Sequence, residues 1–167
     1  MATEQIIKEI FKNLDSKIKQ ENAERESNGA MLVSWCEIKI LGQISLFLDE
    51  GISAAIELNH TGDLDALIES EYFVKKELGN LLRAKGLYLD PDSSLVFIPP
   101  LSKFEELWRF ETFVVYKIDA ESALVSKAIK AKEKNKNLVA SALASNLFPN
   151  LAERITNLGG QIAYFFN

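Results

Sequence analysis

Apolar residues recur at three- and four-residue steps near the start of the chain. Ile6, Ile7, Ile10, Phe11, Leu14 and Ile18 alternate with Lys and Glu, which predicts an amphipathic helix. From Gln20 to Gly29 the chain turns polar and closes on an Asn28-Gly29 turn signal, a loop within one domain or the loose end of that helix. The compact apolar run Cys36 to Leu41 predicts a buried strand. Gly42 interrupts it, and Ile44, Leu46, Phe47 and Leu48 predict a short helix ending near Gly51. Asn59-His60-Thr61-Gly62 reads as a turn leading into a strand over Asp63 to Ile68, whose first half borders solvent.

Val74, Leu78, Leu81 and Leu82 line one side of a helix from about Glu71 to Ala84, closed by Gly86. Leu87 to Leu89 and Leu95 to Ile98 read as short strands around an Asp-Pro-Asp-Ser-Ser turn at 90–94, and Pro99-Pro100 stops further pairing. Leu107 to Phe110 and Phe113 to Ile118 read as two more strands. Asp119 then caps a helix carrying Leu124, Val125, Ala128 and Ile129. Leu138, Val139, Ala142 and Leu143 mark a second helix of this section, and Leu151, Ile155 and Leu158 a third, ended by Gly159-Gly160. The order predicts a mixed α/β (α+β) chain: a small mixed sheet of three to five strands, flanked by helices, with a helical C-terminal section. The connections around 89–95 and 110–113 are too short for crossover helices, so an all-parallel sheet is not expected. A single domain over 1–167 follows, with an N-terminal helix and loop (1–30), an α/β core (31–118) and C-terminal helices (119–167).

Composition narrows the classes. With 47% hydrophobic and 26% charged residues, a chain of this length can bury a core without disulfides or metals. No apolar run approaches the roughly 20 residues of a membrane span, and the charged residues 1–26 lack the apolar segment of a secretory signal. The lone Cys36 cannot form an internal disulfide, and one His with one Cys cannot build a Cys/His zinc site; a reducing, cytoplasmic setting is expected. Nineteen basic against twenty-four acidic residues, a formal charge of −5, argue against broad non-specific nucleic-acid binding. The run Lys127, Lys130, Lys132, Lys134 and Lys136 reads as a solvated helix end, with a local basic groove as the alternative.

The most informative stretch is Gly62-Asp63-Leu64-Asp65. Residues two apart on a strand face the same way, with Cα atoms roughly 6.5–7 Å apart. Two carboxylates so placed can converge on a hard divalent cation such as Mg²⁺, which keeps waters or substrate phosphates in its other positions. Such a site can activate a hydroxyl and neutralise charge on a transferring phosphoryl group. Asp-x-Asp is common by itself, however, and equally describes two solvated acids at a strand end. His60, the only histidine, reads as a polar turn residue that could reach a phosphate, and Cys36 as a small core residue. Trp108, Phe110 and Phe113 read as sheet-core aromatics, with base stacking as the alternative. The apolar end Ile162-Ala163-Tyr164-Phe165-Phe166 is expected to dock on the body of the molecule, although an exposed patch of this kind would suit a homodimer or protein-partner contact.

These segments occur in an order that resembles the nucleotidyltransferase superfamily, where a strand enters a small-residue turn and helix and the next strand bears Asp-x-Asp. The chain is most similar to the minimal and abortive-infection toxin-like branch, in its Ile40-Leu41-Gly42-Gln43 and Thr61-Gly62-Asp63-Leu64-Asp65-Ala66 segments and in Leu124-Val125-Ser126-Lys127-Ala128 of the later helix. The resemblance covers roughly 36–146. It implies transfer of a nucleotidyl group from an NTP to an acceptor hydroxyl, on protein or RNA, with Mg²⁺ held by Asp63 and Asp65. It further implies nucleotide binding at Gly42 and Gln43 and a phosphate-contacting or sheet-bracing Lys127.

Three positions depart from the family pattern. Gln43 stands where a Gly or Ser is usual and could crowd the triphosphate. The strand expected to carry a third carboxylate, Leu95 to Ile98, has none, and Asp92, Glu105, Glu106 and Glu111 are only nearby in sequence. Lys134-Asn135 replaces the usual Lys-Asp. The competing expectation is therefore a non-catalytic interaction protein on the same scaffold, such as a toxin–antitoxin or defence partner.

Overall fold

The computed structural model describes residues 2–167. The chain runs α1 (Ala2–Ser27), β1 (Cys36–Leu41), α2 (Gly42–Phe47), α3 (Glu50–Ala55), β2 (Asp63–Ile68), α4 (Tyr72–Arg83) and β3 (Tyr88–Leu89). It continues through β4 (Phe104–Arg109), β5 (Phe113–Ile118), α5 (Ala120–Lys130), α6 (Lys136–Ser145) and α7 (Leu151–Asn157). The strands form one mixed five-stranded sheet in the order β3-β2-β1-β5-β4, with β1–β5 and β2–β3 parallel and β1–β2 and β4–β5 antiparallel. This is the mixed α/β architecture expected from the hydrophobic pattern, with helices on both faces and a helical C-terminal section.

Alternation along the central strands builds two cores. Ile38 and Ile40 of β1, Leu64 and Ala66 of β2, and Phe113 and Val115 of β5 point to one face. There they bury against Ile7, Phe11 and Leu14 of α1 and Val74 and Leu78 of α4. Leu41, Ile118 and the apolar stripes of α5, α6 and α7 make the second core on the opposite face. Removing these side chains from water supplies the driving force, at roughly 25 cal/mol per Å². The polar stretch after Gln20 remains helical to Ser27. Arg25 pairs with Glu21 one turn earlier and with Glu71 before α4, while Asn22 accepts a hydrogen bond from the Val33 N–H.

Three local expectations are corrected. Gly51 does not end a helix; Asp49 caps the Ile52 N–H and opens α3, which contains Gly51. The apolar run Leu95 to Ile98 is not a strand. Because β3 and β4 lie at opposite edges of the sheet, residues 90–103 must cross four strand spacings, about 19 Å. A short 3₁₀ turn at Ser93–Leu95 starts that crossing, the Ser126 hydroxyl holds the Phe97 carbonyl, and Arg154 holds the Pro100 carbonyl. The strand expected at Leu107 to Phe110 begins earlier, at Phe104, and carries a register shift between Glu106 and Trp108.

The C-terminal apolar end docks as expected. Phe165 is buried, Tyr164 packs edge-on against it, and Lys132 and Lys136 lie over the Tyr164 ring. Phe113 is fully buried, and Phe11 stacks against both Phe113 and Trp108 in the sheet core. No helix among the described residues is long and apolar enough to cross a membrane.

Candidate functional site

The C-terminal ends of β1 and β5 and the start of the antiparallel β2 lie at one end of the sheet, where α2 and α5 depart. Ligands of open α/β sheets gather at such ends. Register does the positioning. Asp65 pairs with Leu41, the last residue of β1, so its carboxyl group lies against Gly42. Gly42 adopts a left-handed φ of +65°, and a Cβ there would strike Asp65 Oδ2. Only glycine fits this turn with the Asp65 carboxylate in place.

The parallel pairing of β3 with β2 brings up a third acid. Asp63 pairs with Tyr88 and Leu64 with Leu89, and the Asp90 N–H donates to the Leu64 carbonyl at 2.9 Å. One step further along both strands, Asp65 and Asp90 stand side by side. The Asp92 N–H donates to Asp90 Oδ1 at 2.8 Å, and Ser93 ties the turn to β2 by accepting from the Ala66 N–H at 3.0 Å. Asp90 does not stand out in the sequence, where it reads as part of a turn and residues 95–98 read as the strand for a further acid. The available signal was an apolar triplet, Leu87 to Leu89, running directly into an Asp.

Asp65 is held in an uncomfortable state. Burial above all, then the hydrogen-bonding reach and negative charge of Asp90, push its carboxyl up to about 6; Lys127 pulls it down, and Asp63 adds a smaller upward push. Asp65 Oδ1 is buried without a hydrogen-bond partner. An orphaned carboxylate oxygen is costly unless a proton, donor or cation completes it. Asp63 is exposed at the mouth of the strand and acts on Asp65 through space.

Two cavities share a wall here. Gly42, Asp65, Lys127 and Phe97 line one of about 220 Å³. Gln43, His60, Thr61 and Lys127 line the other, of about 350 Å³, and Lys134 and Asn135 border both. Lys127 is half-buried, and its ammonium is pulled below the ordinary lysine value, first by burial and then by Lys134. The lysine run therefore divides. Lys127, Lys130 and Lys134 face the Asp65 cavity, while Lys132 and Lys136 hold the C-terminal tail. Gln43 does not border the Gly42–Asp65 cavity; its Nε2 donates to the Asn59 carbonyl at 3.0 Å and fixes the loop before β2. Cys36 is buried, and burial pushes its thiol up, as befits a core residue.

Among the described residues no group of three or more His, Cys, Asp or Glu side chains is gathered in ligating geometry. Mg²⁺ is ordinarily held by only one or two carboxylates plus substrate phosphates. Asp65, with its unpartnered oxygen, and the adjoining Asp90 fit that requirement, with Asp63 at the outer edge. No family model, curated protein or solved structure matches the chain.

Proposed function

We propose that this protein is a nucleotidyltransferase-like enzyme that moves a nucleotidyl group from an NTP to an acceptor hydroxyl. The observation that supports the reading is a further acid: Asp90 stands beside Asp65, whose carboxyl group lies against the Gly42 turn and lines one cavity with the half-buried Lys127. Asp65 and Asp90 would hold Mg²⁺, which when bound would polarise the phosphates and offset charge developing on them. Gly42 leaves the phosphate chain room to approach the backbone, and Lys127 meets its charge from across the cavity. The acceptor oxygen bonds to the α-phosphorus as the α–β phosphoanhydride bond breaks. Diphosphate leaves with the bonding electron pair, and the hydroxyl proton passes to the Asp65–Asp90 pair. The lone buried Cys36 suits a reducing, cytoplasmic setting.

The alternative, a non-catalytic interaction protein on the same scaffold, draws on Asp63, which is exposed and borders neither cavity. Calorimetric titration with ATP and GTP, each with MgCl₂ or with EDTA, separates the two. Magnesium-dependent binding by the wild type, lost in Asp65→Asn and Asp90→Asn, is expected. Wild-type protein that binds neither nucleotide with magnesium, or variants that bind as well as it does, would overturn the enzyme reading.

A further inference from the structure

The cavity on the far side of Gln43 has a chemistry unlike its neighbour's. Besides Gln43 it presents Asn59, Thr61, Asn137 and Ser141, amides and hydroxyls that both donate and accept, as sugar hydroxyl groups do. Lys127 and Lys134 add two donor-only cations against the single acid Glu57, the balance suited to a phosphate. Leu138 is its only large apolar side chain and the His60 imidazole its only ring, so a nucleobase would find no wide apolar wall. The Asp65 cavity does supply such a wall, in Leu95, Val96 and Phe97. At about 350 Å³ the polar cavity lies at the small end of ligand sites, which run from about 300 to 1,000 Å³.

We infer that this second cavity binds a ribose-phosphate unit and so seats the acceptor beside the nucleotide. Its role as acceptor site rests on the nucleotidyltransferase reading; its binding does not. Lys127, Lys134 and Asn135 form the shared wall, so ligands in the two cavities lie next to each other. The ribose-phosphate unit could belong to a free sugar phosphate or to the end of an RNA strand. The formal charge of −5 opposes the long polyanion and favours the small molecule.

The test titrates ribose 5-phosphate into the full chain in EDTA, with ribose, inorganic phosphate and a short oligoribonucleotide as parallel probes. Saturable binding of ribose 5-phosphate, tighter than that of ribose or phosphate, is expected. Lys134→Glu and Ser141→Leu, both at exposed positions, should each weaken it by about tenfold, and Lys130→Gln, which changes the wall of the other cavity alone, should leave it unchanged. Tighter binding of the oligoribonucleotide with the same mutational pattern supports the site and assigns its source to RNA. The inference is overturned by no saturable binding of either ribose-phosphate probe, by equal affinity for inorganic phosphate, or by indifference to Lys134→Glu and Ser141→Leu. Loss in Lys130→Gln also overturns it, by moving the ligand to the other cavity. Failure of the enzyme reading registers separately, in the magnesium-nucleotide titration.

Discussion

Asp65→Asn should make the metal-free protein more stable at neutral pH. The native carboxyl is pushed from an ordinary 3.8 to about 6. An acid whose pKa rises on folding binds its proton more tightly in the native state than in the unfolded chain. Stability therefore falls as pH climbs from about 4 to about 6 and stays depressed above that. The interval between 3.8 and about 6 corresponds to about 3 kcal/mol at about 1.36 kcal/mol per pH unit. The cavity is open to water, and screening brings the expected gain to about 1–2 kcal/mol. For a chain of this size that is roughly 2–8 °C in Tm. Asparagine keeps the shape, carries no charge, and can donate to Asp90. Thermal melts of both proteins in EDTA between pH 4 and pH 8 should show a difference near zero at the acid end and full size above about pH 6–7. Added Mg²⁺ should raise the wild-type Tm and not that of the variant. A variant no more stable than wild type at pH 7.5, or a gain independent of pH, would refute the reasoning.

Gly42→Ala should cost about 1 kcal/mol in urea denaturation for its left-handed backbone, and should abolish magnesium-dependent nucleotide binding because its Cβ displaces the Asp65 carboxylate. Lys117 is buried against Asp49 at 3.3 Å and Glu105 at 3.1 Å. Lys117→Met should lose about 1 kcal/mol, whereas Asp49→Asn with Glu105→Gln strands the ammonium and should lose about 3–5 kcal/mol in the same assay. The buried Asp15 accepts from the Thr112 N–H at 2.9 Å and the Thr112 hydroxyl at 2.6 Å, tying α1 to the β4–β5 turn. Asp15→Ala should cost about 2–3 kcal/mol and Asp15→Asn, which can still accept both bonds, about 1 or less, by chemical denaturation.

The legible parts of the fold were those written in local periodicity. The alternation of β2 puts Asp63 and Asp65 on one face and Leu64, Ala66 and Ile68 on the other, and the observed burial follows it. Asp119 capping the Ser122 N–H and the stripe Leu124, Val125 and Ala128 are equally local. What stayed hidden depends on long-range pairing. Nothing near residue 90 reveals that Leu89 pairs with Leu64, and that contact alone makes Asp90 the neighbour of Asp65. The run Leu95 to Ile98 has strand composition, but the edge positions of β3 and β4 require it to cross the sheet. Charge pattern alone makes Lys127 one of five similar lysines, and only the family resemblance singles it out. Its half-burial follows from α5 packing over the end of β1, which only the assembled sheet shows.

The opposed shifts of Asp65 and Lys127 bear on what the site is for. Had the two formed a close structural ion pair, each would hold the other charged: the acid below its ordinary value, the lysine above it. Instead Asp65 is pushed up and Lys127 down, because burial and like-charged neighbours, Asp90 for one and Lys134 for the other, outweigh their mutual attraction. Each charge is thus set against its own stability, on the wall of one cavity. A cation alone would relieve Asp65 and worsen Lys127; an anion alone would do the reverse. A ligand bearing both, a divalent cation on a phosphate chain, relieves both at once. Under the proposed function, a magnesium-bound nucleotide would meet both needs. That pairing of needs also requires magnesium and nucleotide to raise the Tm together by more than the sum of their separate effects.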